Sequence, residues 1–219
     1  MARLISGING PFVGKVGTVV GSSWNGIPYM KAKYNKRTKN ITVEEKQNRG
    51  KFAMAHFWLH PLLDFVREGF KNFSPRSRGF NAAKSHLLKN AFENRYGACG
   101  SVQPVKPDIS INPALVKLSA GDLPLSQDIA AEKSDLNKIT FTWNPASVKK
   151  ASSFDQVMIA AYNIEDSYAL SKITGQFRNT GADTLIVATG KTYHLWLAFT
   201  AADRSRQSDS VYLGEMNME

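Results

Sequence analysis

The two halves of this chain differ in both charge and texture, and that split constrains what it can fold into more than any single motif. Residues 1–100 carry 17 Lys and Arg against 5 Asp and Glu; with 28 and 18 in the whole chain, the remainder carries 11 against 13. The basic half begins with regularly spaced glycines and continues with helical periodicity, whereas the near-neutral half reads as short strands. Such a split predicts units with different partners. The formal charge of +10 favours polyanions, with nucleic acid, anionic lipid and an acidic protein face all qualifying. With 42% hydrophobic residues, the 219-residue chain has material enough for real cores.

Glycine punctuates the first 34 residues at Gly7, Gly10, Gly14, Gly17, Gly21 and Gly26. The segments Gly17-Thr-Val-Val-Gly21 and Ile27-Pro-Tyr-Met30 read as strands joined by the turn dipeptide Asn25-Gly26. Pro28 cannot donate to a ladder, so its strand is expected at an edge or a bulge. Glycines at this spacing strip side chains from one strip of the ribbon and let another backbone approach. No nucleotide site fits the segment. Gly10-Pro-Phe-Val-Gly14-Lys15-Val16 is one residue short between its glycines and ends in Val where a P-loop needs Ser or Thr.

Lys31, Lys33, Lys36, Arg37 and Lys39 form a polar basic run around Tyr34, able to track a phosphate backbone. Thr42-Val-Glu-Glu45 is a capping box ahead of a helix. Phe52, Ala55, Leu59, Leu62/Leu63, Val66 and Phe70 then recur at helical spacing as the expected core stripe. Pro61 starts a second helix or kinks the first, Ser74-Pro75 breaks the run, and a further helix from about Arg78 carries Phe80, Ala83, Leu87 and Ala91. Gly97, Gly100, Pro104 and Pro107 mark a connector. The expected organisation is a basic hairpin-and-helix domain over 1–100, a linker over 101–112 and a β-sandwich over 113–219.

Strands are expected at 115–118, 139–143, 157–162, 184–188, 193–199 and 211–213, a spacing that suits a sandwich. The Trp143 strand and the Tyr193–Phe199 strand have the alternation and order of strands B and F in fibronectin type III-like sandwiches. Tyr193, Leu195, Leu197 and Phe199 share one face; His194, Trp196 and Ala198 share the other. With the first face as core, Trp196 is either an exposed anchor for a partner or covered by the helical half.

Catalytic raw material is thin. The one cysteine, Cys99, excludes an intrachain disulfide and thiolate metal clusters. His56 and His60 share a helix face, but Phe57 stands where a zinc protease places Glu. Glu44-Glu45, Glu165-Asp166 and Asp203 fall in caps or loops, and no Gly-x-Ser-x-Gly elbow occurs. The chain is therefore expected to be no enzyme and to need no metal or cofactor. Its opening lacks a secretory signal and no apolar run is long enough to span a bilayer, so the expected compartment is cytoplasmic, with incorporation into a released particle also compatible.

The segment 9–31, which ends in Trp24-Asn-Gly-Ile-Pro-Tyr29-Met-Lys31, resembles the opening of a bacterial family of uncharacterised proteins. Glu45-Lys-Gln-Asn-Arg-Gly-Lys-Phe-Ala53, Phe-Asn-Ala-Ala at 80–83 and Gly-Asp-Leu-Pro at 121–124 extend the resemblance, with Gly50 departing from it. No activity comes with that family. The hairpin-and-helix half is more loosely similar to structural proteins of phage-like gene clusters, which implies a particle component.

The expected fold is therefore α+β, a glycine hairpin and small helical unit followed by a fibronectin type III/immunoglobulin-like β-sandwich. The expected function is self-assembly or docking to partner subunits through Gly14, Gly17, Gly21, Trp24, Tyr29 and Trp196. The alternatives are sequence-nonspecific nucleic-acid binding through the basic run, and a surface- or carbohydrate-binding module with Trp196 or Tyr168 as platform.

Overall fold

The structure, a computed structural model, describes residues 3–4, 10–24, 26–35, 40–73, 78–95, 108–146 and 148–219. It is mostly β-sheet with one small helical unit. The chain divides into two compact units, 1–45 and 46–219. The connector expected at 101–112 falls largely outside the described residues, and the observed division lies well before it.

In the first unit, β1 (Arg3–Leu4), β2 (Phe12–Val16), β3 (Val19–Trp24) and β4 (Ile27–Ala32) form an antiparallel sheet in that order. Two-residue turns join the last three strands: Val16 pairs with Val19, and Trp24 with Ile27. Gly17 and Gly26 take φ of +55° and +80°, the left-handed region that such turns demand. Asn25 lies outside the described residues. Pro28 sits opposite Ser23 on the edge strand, where a missing donor costs the ladder nothing. Gly21 has a steric reason of its own. A Cβ there would fall on the Phe12 carbonyl oxygen and within 2.7 Å of the Phe12 ring. Among the described residues of this unit Gly21 alone is buried, so the sheet has no core of its own.

α1 (Val43–Leu59) starts from the expected capping box. The Thr42 N–H donates to Glu45 Oε2 at 3.1 Å, and the Glu45 N–H to Thr42 Oγ1 at 3.3 Å. A 3-10 turn over His60–Leu62 carries Pro61 at its start, and α2 (Leu63–Gly69) and α3 (Gly79–Asn90) follow. β5 (Phe92–Arg95) pairs with β6 (Asp108–Ile111), the latter within the segment expected to be a linker.

Two antiparallel sheets complete the second unit, built from β7 (Ala130–Asp135), β8 (Lys138–Thr142), β9 (Gln156–Asn163), β10 (Tyr168–Lys172), β11 (Ala182–Ile186), β12 (Thr192–Thr200) and β13 (Val211–Asn217). One sheet has the order β10-β9-β12-β13 and the other β11-β8-β7. Ile139, Phe141, Val157, Ile159, Leu195, Leu197 and Phe199 build a core from both. The other face of β9 and β12 presents Met158, Ala160, Tyr162, Trp196 and Ala198 to Trp58, Leu59, Leu62 and Phe65 from the helices. Both central strands are therefore covered on two sides, and both read as near-continuous apolar runs.

Arg178 is buried in this unit and engaged from several sides. It donates to Ser126 Oγ and to the Pro124 carbonyl, each at 2.9 Å, and stands 3.4 Å from Asp155 Oδ2. Its guanidinium also lies 4.1 Å from the Phe199 ring centroid. Burial lowers its affinity for its proton, and the Asp155 carboxylate offsets part of that.

Three expectations are corrected. Residues 115–118 are not a strand: a 3-10 turn over Pro113–Leu115 leads into an irregular segment that buries Val116 and Leu118. Phe52 is exposed, one helical turn before the buried part of α1 begins at Ala55. Trp196 is not a surface anchor: it is wholly buried, in the same cluster as Trp58, Leu59 and Leu62 from the helical part.

Candidate functional site

Cross-strand partners share a face, so the register of the N-terminal sheet sorts its side chains into two sets. Val16, Val19 and Ala32 form one row, Gly14, Gly21 and Met30 the next, and Ser23 with Pro28 a third. Phe12 crosses the stripped glycine row. These rows carry no charge. A groove of about 320 Å³ opens beside them, lined by Gly10, Pro11, Phe12, Pro28, Tyr29 and Met30. Met30 is 71% exposed.

The opposite face has Lys15, Val20 and Lys31 in one row, Ser22 and Tyr29 in the next, and Trp24 with Ile27 in the third. Lys31 Nζ lies 6.0 Å from the Tyr29 ring centroid. Trp24 and Tyr29 are 54% and 42% exposed. No Asp or Glu occurs before Glu44, so the sheet itself supplies no carboxylate to neutralise these lysines.

The structure thus separates residues that sequence reasoning had grouped. Gly14 and Gly21 belong to the uncharged face and Gly17 to a turn, while Trp24 and Tyr29 stand with Lys31. Lys33 follows directly after β4, its N–H donating to the Thr18 carbonyl at 2.7 Å. Lys36, Arg37, Lys39 and Cys99 lie outside the described residues. Sequence reasoning missed Lys15, Phe12 and Met30 as members of these faces. The signal was the Gly17-Thr18 turn, which fixes the β2–β3 register and reads in isolation as the start of a strand.

Elsewhere several ionisable groups have structural partners. Asp166 pairs with Lys191 at 2.6 Å, Asp203 accepts from the Ser205 hydroxyl and N–H, and Arg206 grips Asp122, lowering the proton affinity of that carboxyl. The His56 and His60 rings lie 6.0 Å apart, and His56 packs edge-on against Phe80. Among the described residues no group of three or more His, Cys, Asp or Glu is placed to hold a metal ion. Tyr168 is half-exposed on the edge strand β10. Among the described residues no helix is long and apolar enough to cross a membrane.

A family model described as a family of unknown function, DUF6266, matches residues 11–214. The chain belongs to DUF6266. This DUF6266 protein matches no curated protein sequence. Among solved structures it is similar to the fibronectin type III domain of human collagen alpha-1(XX) chain, at 10% identity and a TM-score of 0.34. That match covers 43% of this chain and 84% of the other. It is also similar to the FN1–FN3 domains of chicken CNTN1, at 13% identity and a TM-score of 0.31, over 42% of this chain and 32% of that one.

Proposed function

We propose that this chain is a non-enzymatic assembly subunit that self-associates through its N-terminal sheet. One observation carries the reading. The sheet presents an uncharged face of Phe12, Val16, Val19, Pro28, Met30 and Ala32 beside its edge strand β4, with Gly21 its one buried residue among those described. A small sheet without a core is marginal in water and gains stability by packing on another surface. An open edge accepts a strand from a neighbour, and the groove beside Phe12 and Met30 has room for an apolar side chain. A role as a particle component follows from the looser resemblance to phage-like structural proteins and belongs to the same proposal.

We read the two-sheet part of the second unit as a fibronectin type III-like sandwich. Its order, β11-β8-β7 against β10-β9-β12-β13, supports this, with β8 second and β12 sixth of seven strands.

Light scattering of the nuclease-treated protein after size exclusion tests the assembly reading. The expected result is a defined oligomer that Met30→Asp or Val16→Asp reduces to monomer while the melting of residues 46–219 stays unchanged. A monomeric wild type, or a variant that still assembles, overturns it.

A further inference from the structure

The face of the N-terminal sheet that carries Lys15 and Lys31 has a chemistry of its own. We propose that Trp24, Tyr29, Lys15 and Lys31 form a platform for single-stranded nucleic acid, bound without base specificity.

The register supports this directly. Tyr29 pairs with Ser22, and Trp24 lies two residues further along the same strand as Ser22. The two aromatic residues are therefore diagonal neighbours on one face, with Cα atoms about 7–8 Å apart. Ser22 and Ile27 are their partners in the β3–β4 pairing, and both rings are exposed, Trp24 at 54% and Tyr29 at 42%. Lys31 is two residues from Tyr29 on β4, and Lys15 lies across Val20 in the same row. The face thus offers two ring surfaces and then a row with two cations. Bases stack on aromatic side chains whatever their identity, while lysines track the phosphates. With no carboxylate before Glu44, the local field is attractive to a polyanion.

Single-stranded rather than duplex nucleic acid fits because a duplex offers phosphates and keeps its base faces inside the stack. It would use Lys15 and Lys31 and leave Trp24 and Tyr29 idle. An acidic protein surface would likewise use the charges without needing two open rings.

The test titrates the full-length protein into a labelled oligothymidine of about a dozen nucleotides, read by fluorescence anisotropy. Trp24 supplies a second signal. It is the exposed one of the four tryptophans, Trp58, Trp143 and Trp196 being 7%, 3% and 0% exposed, so stacking quenches the solvent-exposed part of the emission. Trp24→Ala and Tyr29→Ala are each expected to weaken binding about 5- to 100-fold. Trp24→Phe keeps a ring in place and retains most of the affinity. Lys15→Ala and Lys31→Ala are each expected to lower the slope of log affinity against log salt by about 0.7.

Absence of binding at low salt overturns the proposal. Binding of duplex DNA or heparin as tight as oligothymidine, and insensitive to Trp24→Ala, also overturns it and leaves a plain cationic surface. Light scattering on each variant shows whether the sheet still assembles. Where Trp24→Ala disturbs assembly, the Trp24→Phe variant decides: loss of binding with assembly intact counts against stacking.

Discussion

The indole of Trp58 on α1 stands edge-on to the indole of Trp196 on β12, with ring centroids 6.0 Å apart and planes at 88°. The Tyr162 ring of β9 closes the cluster at 5.0 Å from Trp58. The two tryptophans differ in their polar ends: Trp196 Nε1 donates to the Val116 carbonyl at 3.2 Å, whereas Trp58 Nε1 is buried without a partner among the described residues. Either residue changed to Ala is expected to cost about 3–5 kcal/mol. The Phe variants separate the two. Trp58→Phe loses packing alone, but Trp196→Phe also leaves the Val116 carbonyl unpaired in the interior, an added cost of about 1–3 kcal/mol. Denaturant titration of the four variants checks the order.

Gly21→Ala is expected to displace Phe12 from the glycine row, since the new methyl would overlap the Phe12 carbonyl and ring. The uncharged face then loses its groove. Light scattering is expected to show weakened self-association while thermal melting of the second unit is unchanged. Normal assembly in Gly21→Ala would show that Phe12 has no part in the contact.

Asp155→Asn is expected to cost about 3–5 kcal/mol, because it leaves the buried Arg178 guanidinium without its counter-charge. The Arg178→Met/Asp155→Asn double variant removes both charges and is expected to regain a large part of that loss. A double-mutant cycle by chemical denaturation measures the coupling. Near-zero coupling would mean that the bonds from Arg178 to Ser126 and Pro124 carry the site unaided.

Acid sensitivity is expected from His194 and His86. Burial pushes both below the ordinary value of 6.5, and the charge of Lys117 adds to the effect at His86. The unfolded chain therefore takes up protons first. The stability contributed by the neutral rings is present above pH 6.5 and is lost as pH falls from there through the lowered folded values. His194→Gln is expected to flatten the slope of unfolding free energy against pH across that window. An unchanged slope would place the acid sensitivity elsewhere.

Much of this architecture was readable in the chain because it depends on local signals. The capping box at Thr42 and Glu45, the break at Pro61, the Gly26 turn and the edge position of Pro28 each follow from short-range geometry. β7 and β10 were not readable. Both are edge strands: Ala130–Asp135 is polar and almost wholly exposed, and Tyr168–Lys172 is short and only partly buried, so neither shows the alternation that marks a half-buried strand. β5 was hidden because its partner β6 lies within the segment expected to be a linker. The candidate faces needed register, which pairing sets. Lys15 and Lys31 stand far apart in the chain, yet each pairs toward Val20 and so they share one row of the sheet.

The helices that cover β9 and β12 also bear on how this protein could be inherited. A two-sheet domain whose outer faces are polar can be cut out and spliced elsewhere. Here a recombination event at the Gly- and Pro-rich connector would separate Met158, Ala160, Trp196 and Ala198 from Trp58, Leu59 and Leu62, baring an apolar surface on each fragment. The helices and the two sheets therefore have to be inherited together for either surface to stay covered.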